Sequence, residues 1–194
     1  MVVTFSRNGY IKRVKASVFR AQRRGGKGIT TAVKDEDEIA SILSTKNHNI
    51  LLFFTNTGRV FRIPAYEIPE MQRTAKGQPI VQSLALAKDE SVSAIIDLTG
   101  TTGNHLFLIS ALGVVKRIDM SEIANIRASG LIVMKPHDGD SLRWVRVTDG
   151  TDNILMVSRG GKAIQFAETD VRVMGRAAAG VRGMKVAQGD SLIE

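Results

Sequence analysis

This 194-residue chain repeats itself, and the repeat limits what it can fold into. A turn followed by an alternating strand occurs as Arg7-Asn8-Gly9-Tyr10-Ile11-Lys12-Arg13-Val14 and as Asn56-Thr57-Gly58-Arg59-Val60-Phe61-Arg62-Ile63. It returns as Ala111-Leu112-Gly113-Val114-Val115-Lys116-Arg117-Ile118 and as Arg159-Gly160-Gly161-Lys162-Ala163-Ile164-Gln165-Phe166. A second glycine follows each: Gly28, Gly77, Gly130 and Gly180, at intervals of 19, 19, 17 and 19 residues. The third landmark is an acidic turn: Lys34-Asp35-Glu36, Lys88-Asp89-Glu90, Asp138-Gly139-Asp140 and Gln188-Gly189-Asp190. Three landmarks in phase over four units mean an array in which each unit buries its faces by stacking on its neighbours.

Each unit reads as β. The runs 50–54, 105–109 and 154–157 are apolar, β-prone and closed by glycine-containing turns. The first glycine of each unit falls at a hairpin turn, where a positive φ is cheap for glycine. About four strands in roughly 50 residues is the content of one propeller-type blade. The expectation is an all-β, propeller-like chain of four units, near 1–49, 50–104, 105–153 and 154–194. The last unit would lack its closing strand, leaving an incomplete disc with an open edge.

Charge is distributed unevenly over this frame. The first 34 residues carry nine Lys and Arg and no Asp or Glu, although the whole chain is only +8. Between the paired glycines lie 17 of the 27 basic residues and 6 of the 19 acidic ones. If the units superpose, these segments share one rim: Lys12, Arg13 and Arg20 in the first, and Arg59, Arg62, Arg73 and Lys76 in the second. Lys116, Arg117 and Arg127 follow in the third, and Lys162 and Arg176 in the fourth. A curved basic edge meets the phosphates of a bent duplex without reading its bases. A pI near 10 points to the same polyanion. Membrane binding would want a basic amphipathic helix, and glycines break the basic stretch. With no cysteine there are no disulfides and no thiolate zinc sites, which fits the cytosol, on nucleoid DNA.

The densest segment is Gln22-Arg23-Arg24-Gly25-Gly26-Lys27-Gly28. Its glycines let backbone approach a polyanion, its arginines suit phosphate oxygens, and Lys27 adds a point charge. Gln22 would bind phosphate or staple the loop to a neighbouring blade. No P-loop or dinucleotide-binding fingerprint is present. An ordinary glycine turn between strands is the competing reading.

This heptapeptide resembles the box of the DNA gyrase A family, Gln-Arg-Arg-Gly-Gly-Lys/Arg-Gly. Segments 9–13, 51–60 and 65–70 are similar to that family's C-terminal domain, and the likeness covers essentially the whole chain. The resemblance implies a β-pinwheel, whose blades exchange strands. It also implies that the rim wraps double-stranded DNA with positive handedness, with the box needed for wrapping. The partners implied are the rest of gyrase A and gyrase B, in an A2B2 holoenzyme that adds negative supercoils. The blades alone are shared with the corresponding topoisomerase IV domain, where the box is degenerate or missing. A kelch- or RCC1-like scaffold for protein interaction is the reading from another class.

No catalytic constellation, cofactor or metal site is expected. His48, His105 and His137 sit at different phases of the repeat. Asp35-Glu36-Asp37-Glu38 reads as a solvated turn, with a divalent cation as the alternative. Tyr10 and Tyr66 lie in repeat contexts, and the family's catalytic tyrosine lies in a separate region. Trp144 is expected in the core.

Overall fold

The computed structural model describes residues 1–29, 31 and 37–193, and these build an all-β chain. Each repeat begins with a hairpin: β1 (Val2–Ser6) with β2 (Tyr10–Val14), and β4 (Ile50–Thr55) with β5 (Arg59–Pro64). The next two are β8 (His105–Ser110) with β9 (Val114–Asp119), and β12 (Asn153–Val157) with β13 (Ala163–Ala167). The leading strands are the continuous apolar runs, and β4 and β8 are buried on both faces from their second residue onward. A third strand closes on the first: β3 (Ile39–Ser44), β7 (Val92–Asp97) and β11 (Leu142–Thr148).

The fourth strand of each sheet comes from the next repeat. β6 (Gln78–Pro79), β10 (Leu131–Ile132) and β14 (Val181–Arg182) each follow the second landmark glycine directly. They pair antiparallel with β2, β5 and β9 of the repeat before. The sheet orders are therefore β3-β1-β2-β6, β10-β5-β4-β7 and β11-β8-β9-β14, which is strand exchange in sequence. The fourth sheet holds β12 and β13, plus one bridge from Ser158 to Leu192, in line with the expectation that the last unit lacks its closing strand.

Glycine is required by how closely the chains approach. The Gly58 carbonyl accepts the N–H groups of Val133 and Met134 at 2.9 and 3.2 Å, and Gly113 accepts those of Gly183 and Met184 in the same way. A Cβ on Gly58 would lie 2.2 Å from the Met134 carbonyl oxygen, and one on Gly113 2.5 Å from that of Met184. Gly77, Gly130 and Gly180 are pressed against the preceding repeat: a Cβ on Gly180 would sit 2.8 Å from the Val115 oxygen.

The hairpin turns satisfy their own polar groups. The hydroxyls of Ser6, Thr55, Ser110 and Ser158 accept the N–H of the residue after the glycine, at 3.0 to 3.3 Å. The acidic turn supplies the rest. Asp37, Asp140 and Asp190 accept the N–H just before the glycine, from Asn8, Leu112 and Gly160, at 2.9 to 3.0 Å. In the first repeat the acting residue is thus Asp37, one beyond the expected turn. Lys34, Asp35 and Glu36 lie outside the described residues. Buried backbone groups need such partners, so the third landmark is a structural cap on the first.

The chain forms two compact units. One comprises Met1–Leu51, Ile63–Leu86 and Asp97–Thr99; it holds the whole first sheet, with Val3, Ile11, Ile68 and Ile80 buried. The other comprises Leu52–Arg62, Ala87–Ile96 and Gly100–Glu194. In it the third and fourth sheets share a core of Phe107, Val115, Met156, Val171 and Met184, with Trp144 packed alongside. No helix among the described residues is long and apolar enough to cross a membrane.

The second repeat carries Glu90 where the others carry aspartate. Its carboxylate accepts the hydroxyls of Thr55 and Thr57 at 2.7 Å, the Ala87 N–H at 2.8 Å and two guanidinium donors of Arg59. Burial alone would raise its pKa, but these donors outweigh it and hold the group at about 2. The stabilisation is present above pH 4.5 and is lost as pH falls through 2, roughly 3 kcal/mol in all. Urea titrations should find Glu90→Gln less stable than the parent by about that amount at pH 7, with the gap shrinking steadily below pH 4.

Candidate nucleic-acid interface

Residues 22–28 fold into a stapled loop. The Gly26 N–H donates to the Arg23 carbonyl at 3.0 Å, closing a turn with Gly25 at φ 86°. Gln22 Oε1 then accepts the Gly28 N–H at 2.8 Å, bridging the two ends. A Cβ on Gly26 would meet that oxygen at 2.7 Å and the Arg23 carbonyl oxygen at 3.1 Å, so the closure needs glycine there. Gln22 therefore staples its own loop through Oε1.

With the backbone closed in this way, Arg23, Arg24 and Lys27 are exposed, as is Arg20 just before them. Among the described residues none of the four forms an ion pair. Unneutralised cations on a glycine-rich backbone suit a polyanion at close range.

The same turn recurs in the other connections. Ala75 donates to the Gln72 carbonyl at 3.0 Å, Ala178 to Gly175 at 3.1 Å, and Gly130 to Arg127 at 2.9 Å. Arg24, Arg73 and Arg176 each stand four residues before their glycine. Arg176 and Arg127 are exposed, and Arg73 is half-buried with Lys76 exposed nearby. Arg176 Nε pairs with Glu122 at 3.1 Å. Arg62 is exposed on β5, and Lys162 is exposed in the last hairpin turn, near the Asp190 carboxylate.

Five of the basic residues expected on the rim are withdrawn from it. Lys12 is 2% exposed and Lys116 is fully buried. Lys12 Nζ donates to the carbonyls of Arg73, at 2.8 Å, and of Ala75. Lys116 Nζ donates to Val133 and Arg176, both at 2.7 Å. Burial pushes the Lys116 amine down to about 8, with Glu122 opposing and Arg176 adding to the shift. Arg13 binds the Ile68 carbonyl at 3.0 Å and Asn47 Oδ1 at 2.8 Å, and Arg117 lies 3.4 Å from buried Glu168. Arg59 is fixed by Glu90, the Ser129 carbonyl and the face of Phe61. In each case packing covers the strand, and backbone carbonyls or carboxylates take the charge.

Arg172, outside the set expected on the rim, is exposed as well. It occupies the position in the fourth repeat that Arg20 holds in the first, each eleven residues after its first glycine. The carboxylates of Asp149, Asp152 and Glu168 lie within 4.8 Å of one another. Glu168 already accepts the Thr148 hydroxyl and the Gly150 and Asp152 N–H groups, at 2.6 to 3.1 Å, so the cluster is accounted for by the loop it closes. Tyr66 is exposed against His48, ring centroids 5.8 Å apart.

A family model described as the DNA gyrase C-terminal domain, beta-propeller, matches residues 1–46, 49–97, 104–149 and 152–193. The DNA gyrase A protein of Halalkalibacterium halodurans is 45% identical over 186 residues, 95% of this chain and 22% of that protein. Its counterpart in Escherichia coli strain K12 is 40% identical over all of this chain and 22% of its own length. The chain thus spans about a fifth of the curated relatives it matches. Among solved structures, the C-terminal domain of a DNA topoisomerase IV superposes with a TM-score of 0.80 at 28% identity, covering 100% of this chain and 59% of that one. The DNA gyrase A C-terminal domain gives 0.76 at 29%, covering 100% and 63%. Strand exchange and these superpositions make the fold a β-pinwheel, and the family match runs through all four repeats: the chain belongs to the DNA gyrase A C-terminal domain family.

Proposed function

We propose that this chain is the DNA-wrapping part of a gyrase A protein, one pinwheel domain of four repeats over 1–194. The observation that carries this reading is the stapled loop. Gln22 holds the backbone closed, and Arg23, Arg24 and Lys27 leave it with no carboxylate partner among the described residues. The connection loops extend the surface through Arg20, Arg73, Lys76, Arg127, Arg172 and Arg176, with Arg62 and Lys162 beside them. Duplex DNA is held by its phosphates, so affinity is steeply salt-dependent, and sequence preference follows bendability rather than base contacts.

In this reading the domain supplies no catalytic group. It bends a duplex segment and hands it to the remainder of gyrase A, which works with gyrase B in an A2B2 holoenzyme in the cytoplasm. Wrapping then lets ATP-driven strand passage add negative supercoils. The intact box and the 40–45% identity to gyrase A proteins favour this over topoisomerase IV. The localised charge favours it over a protein-interaction scaffold.

Binding of a duplex, titrated against salt, tests the assignment. Replacing Arg23, Arg24 and Lys27 together by alanine should reduce the slope of log affinity on log salt by about 2 to 3. It should also abolish supercoiling by the reassembled enzyme while leaving ATP-dependent relaxation; an unchanged slope with retained supercoiling overturns the role of the box. Gly26→Ala keeps every cation but forces Gln22 off Gly28. It should weaken binding several-fold with the salt slope altered by less than one, measured by fluorescence anisotropy.

A further inference from the structure

Two buried lysines occupy one place in the repeat: Lys12 stands three residues after Gly9, and Lys116 three after Gly113. Each ammonium reaches into the following repeat and takes the carbonyl of an arginine, Arg73 for Lys12 and Arg176 for Lys116. Those arginines are equivalent as well. Each is the second residue of the turn that ends its connection, closed by Ala75 N–H on Gln72 and by Ala178 N–H on Gly175. A buried ammonium is tolerated only where acceptors replace its water, and a turn whose carbonyls point inward provides them.

The chain contains its own control. The same place in the second repeat is Phe61, buried and without a charge to satisfy. The connection packed against it is the short one, with its glycines 17 rather than 19 residues apart. Gly130 lies on the Phe61 ring, where a Cβ would be 2.9 Å from two ring carbons. An aromatic ring therefore accompanies the short connection, and a lysine accompanies each long one that follows. In the long connections the turn closes two residues before the second glycine, at Ala75 and Ala178, whereas in the short one it closes on Gly130 itself.

We propose that Lys12 and Lys116 are positioning residues for DNA contact: each draws the backbone of the next repeat's turn inward, so that Arg73 with Lys76, and Arg176, present their side chains as phosphate ligands. The lysine touches no DNA. Its charge is neutralised by backbone dipoles, and what it contributes is the direction of a neighbour. Arg176 is held from both sides, by Lys116 at its carbonyl and by Glu122 at its guanidinium. This proposal rests on reading the connections as the DNA surface.

The chain has no cysteine, so Lys116→Cys can be aminoethylated while unfolded and then refolded, restoring an ammonium of nearly the native length. Lys116→Met, the aminoethylated variant, Arg176→Ala and the Lys116→Met/Arg176→Ala double variant are compared for duplex affinity against salt, below the melting temperature of each. Amide exchange at Ala178 is followed in parallel. Lys116→Met should lose roughly fivefold in affinity and about one from the salt slope. The Ala178 amide should exchange faster, aminoethylation should restore both, and the double variant should lose no more than Arg176→Ala alone. Arg176→Ala weakening DNA while Lys116→Met does not, or fully additive losses, overturns the positioning role alone. Arg176→Ala with undiminished binding removes this connection from the DNA surface and the positioning role with it. Where Lys116→Met does not fold, Lys12→Met read against Arg73→Ala carries the same test in the other compact unit.

Discussion

The fold depends on backbone being laid directly on backbone from one repeat to the next. The carbonyls of Gly9, Gly58 and Gly113 receive N–H groups from the segment that the next repeat sends back, and at Gly58 and Gly113 no side chain fits between them. Every other feature follows from that approach. Two residues after the second glycine become an edge strand of the previous sheet, so no sheet that accepts one is complete without its successor's contribution. The leading strands β4 and β8 are covered on both sides and carry unbroken apolar runs. Polar groups trapped at the turns are met by a hydroxyl on one side and an acid on the other. These acids lie about thirty residues on, where the chain returns to close the sheet.

That economy also explains where the charge goes. Most basic residues on the second strand, Arg62 excepted, are drawn into carbonyl and carboxylate contacts, while most of those on the connections are exposed. The box is the extreme of the second class. Its turn has counterparts at 72–75 and 175–178, but there a buried lysine holds the turn from beneath. In the first repeat a glutamine holds it from the side. Cations on a backbone fixed in advance meet phosphates with less ordering to offset than cations on a free tail.

Much of this was legible in the sequence. The glycine phases gave the repeat, the apolar runs gave the leading strands, and the heptapeptide gave the exposed loop. Strand exchange was legible through the family resemblance alone, because a dipeptide such as Gln78-Pro79 is too short to show a period and its partner lies more than sixty residues away. Lys12-Arg13 and Lys116-Arg117 read as solvent-facing pairs, yet adjacent residues on a strand point to opposite faces. One of each pair therefore had to turn inward; carbonyls ending the next connection take the lysines, while Ile68 and Asn47 take Arg13 and Glu168 takes Arg117. Asp37 caps the first hairpin 28 residues after Gly9, in phase with Asp140 and Asp190, which stand 27 and 29 residues after Gly113 and Gly161. Arg172, eleven residues after Gly161, matches the phase of Arg20, eleven after Gly9.

The central claim is that these loops bend DNA and do not merely hold it. A nicked circular duplex, saturated with the chain, sealed with ligase and then stripped of protein, records the bend as a change in linking number. The predicted result is a positive shift that grows with bound protein and disappears when Arg23, Arg24 and Lys27 are neutralised. Tight binding with no change in linking number would contradict it.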